Sequence, residues 1–167
     1  MIYAGIGSRK TPRDILDIMV DVGAWMAREG HTLRSGHAPG ADQAFEDGCN
    51  RLRGSKEIYL PWSRFENAPM TKGYILADVP EAWEIAERFH PAWHKLSQGA
   101  RKMMARNSHQ ILGLDMKTPC DLVICWTEHG AGGGGTGQAL RIAKSHNIPI
   151  YDLGIPGMIA ELEVKLL

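Results

Sequence analysis

With 167 residues and a mass of 18.4 kDa, the chain has the size of one globular domain and is too short for two full-sized ones. Hydrophobic residues make up 44% and charged residues 23% of it, which excludes wholesale disorder and a fibrous repeat. The 19 Lys and Arg residues balance the 19 Asp and Glu residues, so the overall charge argues against a duplex-DNA-binding protein.

The sequence lacks the patterns of a membrane span and of an export signal. Its longest uninterrupted apolar run, residues 122–126, is far shorter than the roughly 20 residues of a membrane helix. The start of the chain lacks the basic and apolar regions of a signal peptide. Cys49, Cys120 and Cys125 form an odd set without a C-x-x-C motif, which favours reduced, mostly buried thiols. We therefore expect a cytoplasmic protein with no membrane partner.

Strands alternate with helices in the first third of the chain. Thr11, Pro12 and Asp14 have the residue types of an N-cap, a first helical position and an acidic first turn. A second apolar helical face begins near residue 41. In chain order, the predicted elements are a strand at 2–6, a helix from Pro12 to Gly30, a strand at 31–35, a helix from Ala41 to Gly54 and a strand at 57–60.

The same alternation returns in the last third. The predicted elements are a buried strand at 121–126, a helix at 136–146, a strand at 148–153 and a closing helix after Pro156-Gly157. Strands that alternate with helices imply right-handed crossovers and a mainly parallel sheet covered on both faces. The expected fold is therefore an α/β, Rossmann-like three-layer sandwich, formed by a single domain over residues 1–167.

Residues 62–119 interrupt this alternation and are too many for a structureless loop in a compact domain. Periodicity predicts helices at 79–89 and 97–114, so we expect a helical insertion. Because so many large aromatics exceed what this stretch can bury alone, we expect it to lie over a cleft or between the copies of a homo-oligomer. The aromatics are Trp62, Phe65, Tyr74, Trp83, Phe89 and Trp93.

The second predicted helix of the insertion carries polar residues on several sides. The ordinary interpretation is a solvated helix face, and the alternative is a polar wall over a ligand cleft. The residues concerned are Arg101, Lys102, Arg106, Asn107 and Gln110.

Glycine-bearing loops follow three of the predicted strands, at 5–9, 35–42 and 130–137. In an open parallel sheet, ligands bind beyond the carboxyl ends of the strands, where the strand order reverses. Each loop leads into a helix N-terminus, whose free N–H groups and dipole favour an anion, and glycines let a phosphate approach the backbone. The alternative is that the glycines only form tight turns. Three such loops at one sheet edge favour a phosphate site.

The common nucleotide motifs are incomplete. The turn after the first strand has Lys10 where a dinucleotide site needs its third glycine, and the second strand ends in Arg34-Ser35 rather than in an acid. The glycine run at 130–137 lacks the Gly-Lys-Ser/Thr of a P-loop. Both a standard NAD site and ATP hydrolysis are therefore disfavoured.

At these loops the sequence resembles the SLOG superfamily. The resemblance is carried by Gly-Ser-Arg at 7–9, Ser-Gly-x-Ala-x-Gly-Ala-Asp at 35–42 and Gly-Gly-Gly-Gly-Thr-Gly at 132–137. That superfamily contains the DNA-processing DprA/Smf proteins, the Lonely Guy phosphoribohydrolases and nucleotide-sensing domains. The chain looks most similar to its small stand-alone DprA-like bacterial and phage members. The resemblance covers most of the chain except about 62–119.

The resemblance implies a pocket for a nucleotide or nucleotide-derived ligand, with Gly7, Ser8 and Arg9 on one side and residues 133–136 holding phosphate. His37 departs from the family pattern, because a second glycine is usual at this position. The phosphoribohydrolase signature Pro-Gly-Gly-x-Gly-Thr-x-x-Glu is also incomplete, since Ala131 replaces its proline and Ala139 its glutamate. Catalysis by the family's hydrolytic route therefore lacks its carboxylate.

A glycosidase would still need a carboxylate near the reacting carbon or an activated water. Asp42 and Glu46 are the candidate catalytic residues, because they lie four apart on one face of a helix that follows a glycine loop. The alternative is a first-turn acid that stabilises the helix dipole and a solvated Glu. His90 and His94 have helical spacing but no third ligand nearby, so we expect no metal and no cofactor.

Three functions remain, led by a protein that senses or sequesters a phosphorylated nucleotide-derived small molecule. The second is a nucleotide N-glycosidase related to the phosphoribohydrolases, which would make the chain an enzyme. The third is a DprA-like mediator that binds single-stranded DNA, which the neutral charge disfavours. The predicted ligand-binding residues are Gly7, Ser8, Arg9, Ser35, Gly36, His37, Gly40, Asp42, Gly133, Gly134, Gly135 and Thr136.

Overall fold

The structure is a computed structural model that describes residues 1–166. Strands and helices alternate along this part of the chain. The strands are β1 (Ile2–Gly5), β2 (Thr32–Ser35), β3 (Lys56–Leu60), β4 (Tyr74–Leu76), β5 (Leu122–Cys125) and β6 (Ile150–Asp152). The α-helices are α1 (Arg13–Arg28), α2 (Ala41–Arg51), α3 (Pro80–Phe89), α4 (Gln98–Leu112), α5 (Gly134–Ser145) and α6 (Met158–Leu166).

The strands form one parallel sheet in the order β4-β3-β2-β1-β5-β6. Strand β1 lies at the centre, and the chain builds outward from it first through β2, β3 and β4 and later through β5 and β6. The strand order therefore reverses between β1 and β5, which is where open α/β sheets bind ligands. The predicted α/β, Rossmann-like three-layer architecture is confirmed.

Both faces of the sheet are buried, as the apolar character of β5 predicts. Leu122 and Ile124 pack into the core that α1, α2 and α6 cover, whereas Val123 and Cys125 pack into the core beneath α4 and α5. Successive side chains of a strand point to opposite faces, so a strand that is apolar throughout requires a helical layer on each side.

The insertion differs from the prediction, because it is not purely helical. Residues Tyr74–Leu76 pair in parallel with β3 and extend the sheet at its edge as β4. Three residues are too few to produce a readable alternation, which is why the pattern did not reveal them. Helix α4 contacts β2, β3 and α5, so it is part of the layer that covers the sheet.

The aromatics of the insertion are mostly packing residues. Phe65 is buried in the core, and the rings of Trp83 and Trp93 meet edge to face over the alanines of α3 and α4. Trp62 is 41% exposed. The aromatics therefore serve mainly to hold the insertion on the sheet.

The start of α1 also differs from the prediction. The helix begins at Arg13, with Pro12 before it, and the Thr11 hydroxyl donates to the carbonyl of Ser8 at 2.7 Å and does not cap the helix. Thr11 thereby closes the glycine turn that follows β1.

The three cysteines are buried and free, as the sequence predicts. Burial raises the pKa of the Cys120 thiol to about 11. Among residues 1–166, no helix combines the length and the apolarity needed to cross a bilayer.

Candidate ligand-binding cleft

A cleft of about 330 Å³ opens beyond the carboxyl ends of β1 and β5, where the strand order reverses. The loop after β1 forms one wall, the glycine run before α5 forms another, and α4 lies across the top. The lining residues are 6–10, Ala38, Asp42, Met103, Met104, Arg106, Asn107, Gln110, 133–136 and Ala139.

All three predicted loops reach this cleft, and two of them face each other across it. Gly7, Ser8 and Arg9 face residues 133–136 across it, and Asp42 joins them from the first turn of α2. Among residues 133–136, the first backbone N–H groups of α5 have no partner within the helix, which makes this terminus suited to an anion.

The third loop, at 35–42, contributes Ala38 and Asp42 to the lining, and its other predicted residues support the cleft from behind. The Ser35 hydroxyl donates to the carbonyl of Gly5 at 2.6 Å and joins β2 to β1. The Gly36 carbonyl accepts a hydrogen bond from Arg106. Of the predicted ligand-binding residues, Ser35, Gly36, His37 and Gly40 do not line the cleft.

Gly40 is required by the close approach of two backbones. Its φ of 92° lies in the left-handed region, and a Cβ there would sit 2.8 Å from the carbonyl oxygen of Ser8 and 2.9 Å from the Cα of Arg9. The glycine therefore lets α2 begin directly against the turn that forms one wall of the cleft.

Arg106 agrees with the second of the two interpretations that the sequence left open, a polar wall over a cleft. Its side chain is not on a solvated face but is only 3% exposed, with Nη1 donating to the carbonyls of Gly36 and Tyr59 and Nε to Asn107. Its guanidinium lies 5.4 Å from the ring centre of Phe65. Within residues 1–166, no carboxylate oxygen lies within the 4.0 Å of an ion pair with Arg106.

Asn107 and Gln110 are also buried and line the cleft, so the solvated-face interpretation is wrong for them and the polar-wall alternative holds. The Asn107 amide donates to the carbonyl of Gly135 at 3.2 Å, which ties α4 to the glycine run. Gln110 lines the cleft, and its amide makes no hydrogen bond to the part of the protein that the structure describes. The sequence signal for this burial was the narrow apolar face of α4. A helix with so narrow an apolar face and several large polar residues packs its polar residues against a polar region of the protein.

Asp42 is the one carboxylate among the lining residues. Burial raises the pKa of Asp42 to about 6, although the charge of Arg106 and the amides of Ala38 and Gly7 oppose the rise. The Ala38 N–H donates to Asp42 Oδ2 at 3.3 Å. Near neutral pH this carboxyl group therefore exchanges a proton readily.

Glu46, the other candidate catalytic residue, points away from the cleft. It is 3% exposed and accepts hydrogen bonds from His37 Nδ1 at 2.6 Å, from Lys56 Nζ at 3.0 Å and from the Tyr74 hydroxyl. Burial alone would raise its pKa, but the hydrogen bonds from His37 and Tyr74 and the charge of Lys56 hold the pKa of Glu46 below its ordinary value. We call His37, Glu46, Lys56 and Tyr74 the Glu46 cluster.

The mouth of the cleft is basic. Arg9 and Lys10 line it, and the half-exposed guanidinium of Arg9 pairs with Glu66 of the insertion at 3.4 Å. Together with Arg106, these residues outnumber the single carboxylate of Asp42. The electrostatics therefore favour an anionic occupant.

The walls of the cleft contain no aromatic side chain among the described residues. Met103, Met104 and Ile6 provide apolar surface, and Ala139 lies where the phosphoribohydrolase signature has its glutamate. No group of three His, Cys, Asp or Glu side chains within residues 1–166 converges as a metal site.

The architecture is shared with solved structures of low sequence identity. DNA processing protein A from Helicobacter pylori, which binds single-stranded DNA, matches with a TM-score of 0.62 and 17% identity over 99% of this chain and 72% of that chain. The likeness shows that this chain has the same α/β fold.

Two structures of the molybdenum cofactor carrier protein from Chlamydomonas reinhardtii show the same architecture. They match with TM-scores of 0.57 and 0.55 and identities of 16% and 14%, over 99% of this chain and 82% and 86% of theirs. No protein-family model and no curated protein matches the sequence. At these identities the likeness concerns the fold.

Proposed function

We propose that the chain binds the phosphate of a nucleotide or a nucleotide-derived small molecule in this cleft, as a sensor or sequestering protein. The observation that carries the proposal is the buried guanidinium of Arg106, which faces the cleft without an ion-pair partner in residues 1–166. A buried charge is costly unless it is paired, so an unpaired one at a cleft indicates that the ligand supplies the counter-charge.

The site offers a phosphate two further kinds of donor. The N-terminus of α5 presents free backbone amides from residues 133–136, and Arg9 and Lys10 add positive charge at the mouth. Gln110 supplies an uncommitted amide for a neutral part of the ligand. These donors line one cleft, which supports binding of a single anionic group over a track of successive phosphates.

The size and chemistry of the cleft support a small molecule over a nucleic acid strand. Its volume of about 330 Å³ lies at the lower end of ordinary small-molecule pockets. Sites for single-stranded DNA combine a basic groove with stacked aromatics. Trp93 and Arg101, an aromatic and a basic residue of the insertion, pack on each other outside the cleft. The carrier protein among the structural neighbours gives a precedent for this fold in small-molecule binding.

Calorimetric titration with sulfate and with nucleoside monophosphates tests the proposal. Wild-type protein should bind, and Arg106→Ala should lower the affinity at least tenfold, because hydrogen bonds to charged groups are worth about 1.5–3 kcal/mol each. Lys102→Ala removes a charge from the same helix outside the cleft and should leave the affinity within twofold of wild type.

Two results would contradict the small-molecule proposal. One is equal anion affinity of folded Arg106→Ala and wild-type protein. The other is tighter binding of a single-stranded oligonucleotide than of any mononucleotide, which would favour the DNA-binding function. Native mass spectrometry of protein purified from its host would identify the ligand by mass.

Hydrolysis of an N-glycosidic bond is a second candidate, which the pKa of Asp42 near 6 favours, since a general acid or base works best near ambient pH. Ala139 supplies no second carboxylate. We therefore expect turnover of nucleoside monophosphates far below the order of one per second of working enzymes. Release of free base at that rate by wild-type protein, abolished in Asp42→Asn, would establish the enzyme.

A further inference from the structure

The Glu46 cluster lies beside the cleft and contacts it through one loop. Because the lowered pKa keeps Glu46 ionised, its carboxylate accepts from all its neighbours, and Nδ1 of His37 carries the proton of the 2.6 Å bond. Lys56 and Tyr74 hold the other carboxylate oxygen. Glu46 is thus a fixed anchor, and His37 is the residue attached to it.

The residues on either side of His37 provide backbone hydrogen bonds to Arg106 and Asp42, the two buried charged residues of the cleft. On one side of it, the Gly36 carbonyl accepts from the guanidinium of Arg106. On the other side, the Ala38 N–H donates to the carboxylate of Asp42 at 3.3 Å. A movement of His37 would displace the acceptor of Arg106 and the donor of Asp42 together.

The backbone at His37 requires something to hold it. Its φ of 59° lies in the left-handed region, which costs most residues with a Cβ about 1 kcal/mol. A glycine would adopt this conformation without strain but would have no side chain to anchor. Histidine therefore has a strained backbone at this position, but its hydrogen bond to the buried carboxylate of Glu46 fixes where the loop lies.

We propose that His37 is a positioning residue, whose hydrogen bond to Glu46 fixes the loop 36–38 so that Arg106 and Asp42 are oriented for an anion in the cleft. The proposal rests on the proposed function in that it assumes an anionic ligand. It assigns Glu46 a structural anchor role rather than a catalytic one.

Substitutions of His37 separate positioning from packing. Alanine removes the side-chain anchor and retains the strain of the left-handed backbone. Asparagine tolerates this backbone and carries its amide nitrogen at the same number of bonds from Cβ as Nδ1, so it can still donate to Glu46. Tyr74→Phe removes a different hydrogen bond of Glu46 and keeps the ring that meets His37 edge to face. All are compared with wild type after thermal unfolding confirms a folded protein.

The first measurement is sulfate affinity, since sulfate keeps its charge between pH 5 and 8. We expect His37→Ala to bind sulfate about three- to tenfold more weakly, and His37→Asn and Tyr74→Phe to remain within twofold of wild type. Equal losses in His37→Ala and Tyr74→Phe would show that the cluster acts only through stability, and would overturn the proposal.

The second measurement needs no ligand: carboxyl carbon NMR follows the titration of Asp42. The charged groups around Asp42 are Arg106 on α4, Arg9 on the loop after β1 and Glu46 on its own helix, and none of them changes in these variants. Loss of the Ala38 hydrogen bond should raise the midpoint in His37→Ala by about half a pH unit, and His37→Asn should restore it.

An unchanged midpoint in folded His37→Ala would overturn the proposal even if sulfate binds. If the alanine variant does not fold, His37→Gly replaces it, because glycine accepts the left-handed backbone while lacking the anchor. The glycine variant should show the same weaker sulfate binding and the same raised midpoint of Asp42. A glycine variant that matches wild type in both measurements would overturn the proposal. If wild-type protein binds no sulfate, the proposed function fails and the titration of Asp42 still decides the role of His37.

Discussion

The cleft and the Glu46 cluster lie side by side, and each is built around a buried charge. Glu46 is surrounded by a lysine, a histidine and a tyrosine that donate to it. Arg106 is equally buried but donates to backbone carbonyls and to a neutral amide. A buried charge with a direct ion-pair partner belongs to the architecture, whereas one without such a partner at a cleft indicates a place for a ligand.

The same contrast appears within α2. Asp42 and Glu46 lie one turn apart, yet the pKa of Asp42 is raised to about 6 and the pKa of Glu46 is lowered. Burial acts on both in the same direction, so the difference comes from the neighbours. Asp42 has two backbone amides and a guanidinium beyond ion-pair distance, whereas Glu46 has direct hydrogen bonds from charged and polar side chains.

Glu46→Ala should produce the largest change in stability. It leaves Lys56 without its carboxylate and breaks three hydrogen bonds, so we expect a loss of about 3–5 kcal/mol in the free energy of unfolding. Urea unfolding measures the loss. Asp47→Ala, an exposed acid on the next position of the helix, is the matched control and should change stability by less than about 0.5 kcal/mol. Similar losses of stability in Glu46→Ala and Asp47→Ala would contradict the anchoring role of Glu46.

Asp42→Asn should increase the free energy of unfolding at neutral pH, the opposite of the effect of Glu46→Ala. The folded state keeps the Asp42 proton up to about pH 6, whereas the unfolded chain releases it near 4, so ionisation of Asp42 lowers stability as the pH rises through that window. Asparagine removes this cost, and we expect a gain of about 2–3 kcal/mol at pH 8 and almost none at pH 4. Parallel pH profiles of the two proteins would contradict the raised pKa.

Gly36→Ala should disturb the cleft without unfolding the protein. A Cβ at Gly36 would lie 2.4 Å from Arg106 Nη1 and from Gln110 Nε2, and both are ends of flexible side chains that can move aside. We expect about 1 kcal/mol less stability and several-fold weaker sulfate binding. Gly99→Ala on the same helix as Arg106, where nothing lies within 4 Å, should leave sulfate binding unchanged and should not lower stability, because alanine favours a helix over glycine.

Glu66→Gln should give the smallest effect and improve binding. Glu66 competes with the ligand for Arg9, and exposed ion pairs are worth at most about 1 kcal/mol, so we expect sulfate affinity to rise about two- to threefold. The gain should disappear at 1 M salt and in an Arg9→Ala background, because it depends on that one pair. A gain that persists in Arg9→Ala would show that Glu66 acts through the general field of the cleft.

Elements with strong local patterns agree with the structure to within two residues. Ser97 begins α4 as an N-cap, accepting from the amide of Ala100, and the apolar run at 121–126 forms the buried β5. β4 was missed because its three residues form a strand only where β3 offers an unpaired edge. Thr11 was misassigned because a hydroxyl two residues from a helix start can serve either the helix or the preceding turn.

The sequence by itself determined the parallel α/β architecture and the two glycine loops that face each other, because strand–helix alternation and right-handed crossovers leave few other arrangements. It also placed Asp42 at the cleft, since the first turn of a helix after a strand lies at the ligand-binding edge. Only the tertiary structure decided that Arg106 and Gln110 are buried and that Glu46 turns away from Asp42. The helical period fixes which residues share a face, but what covers that face depends on contacts with residues 28 to 70 positions away.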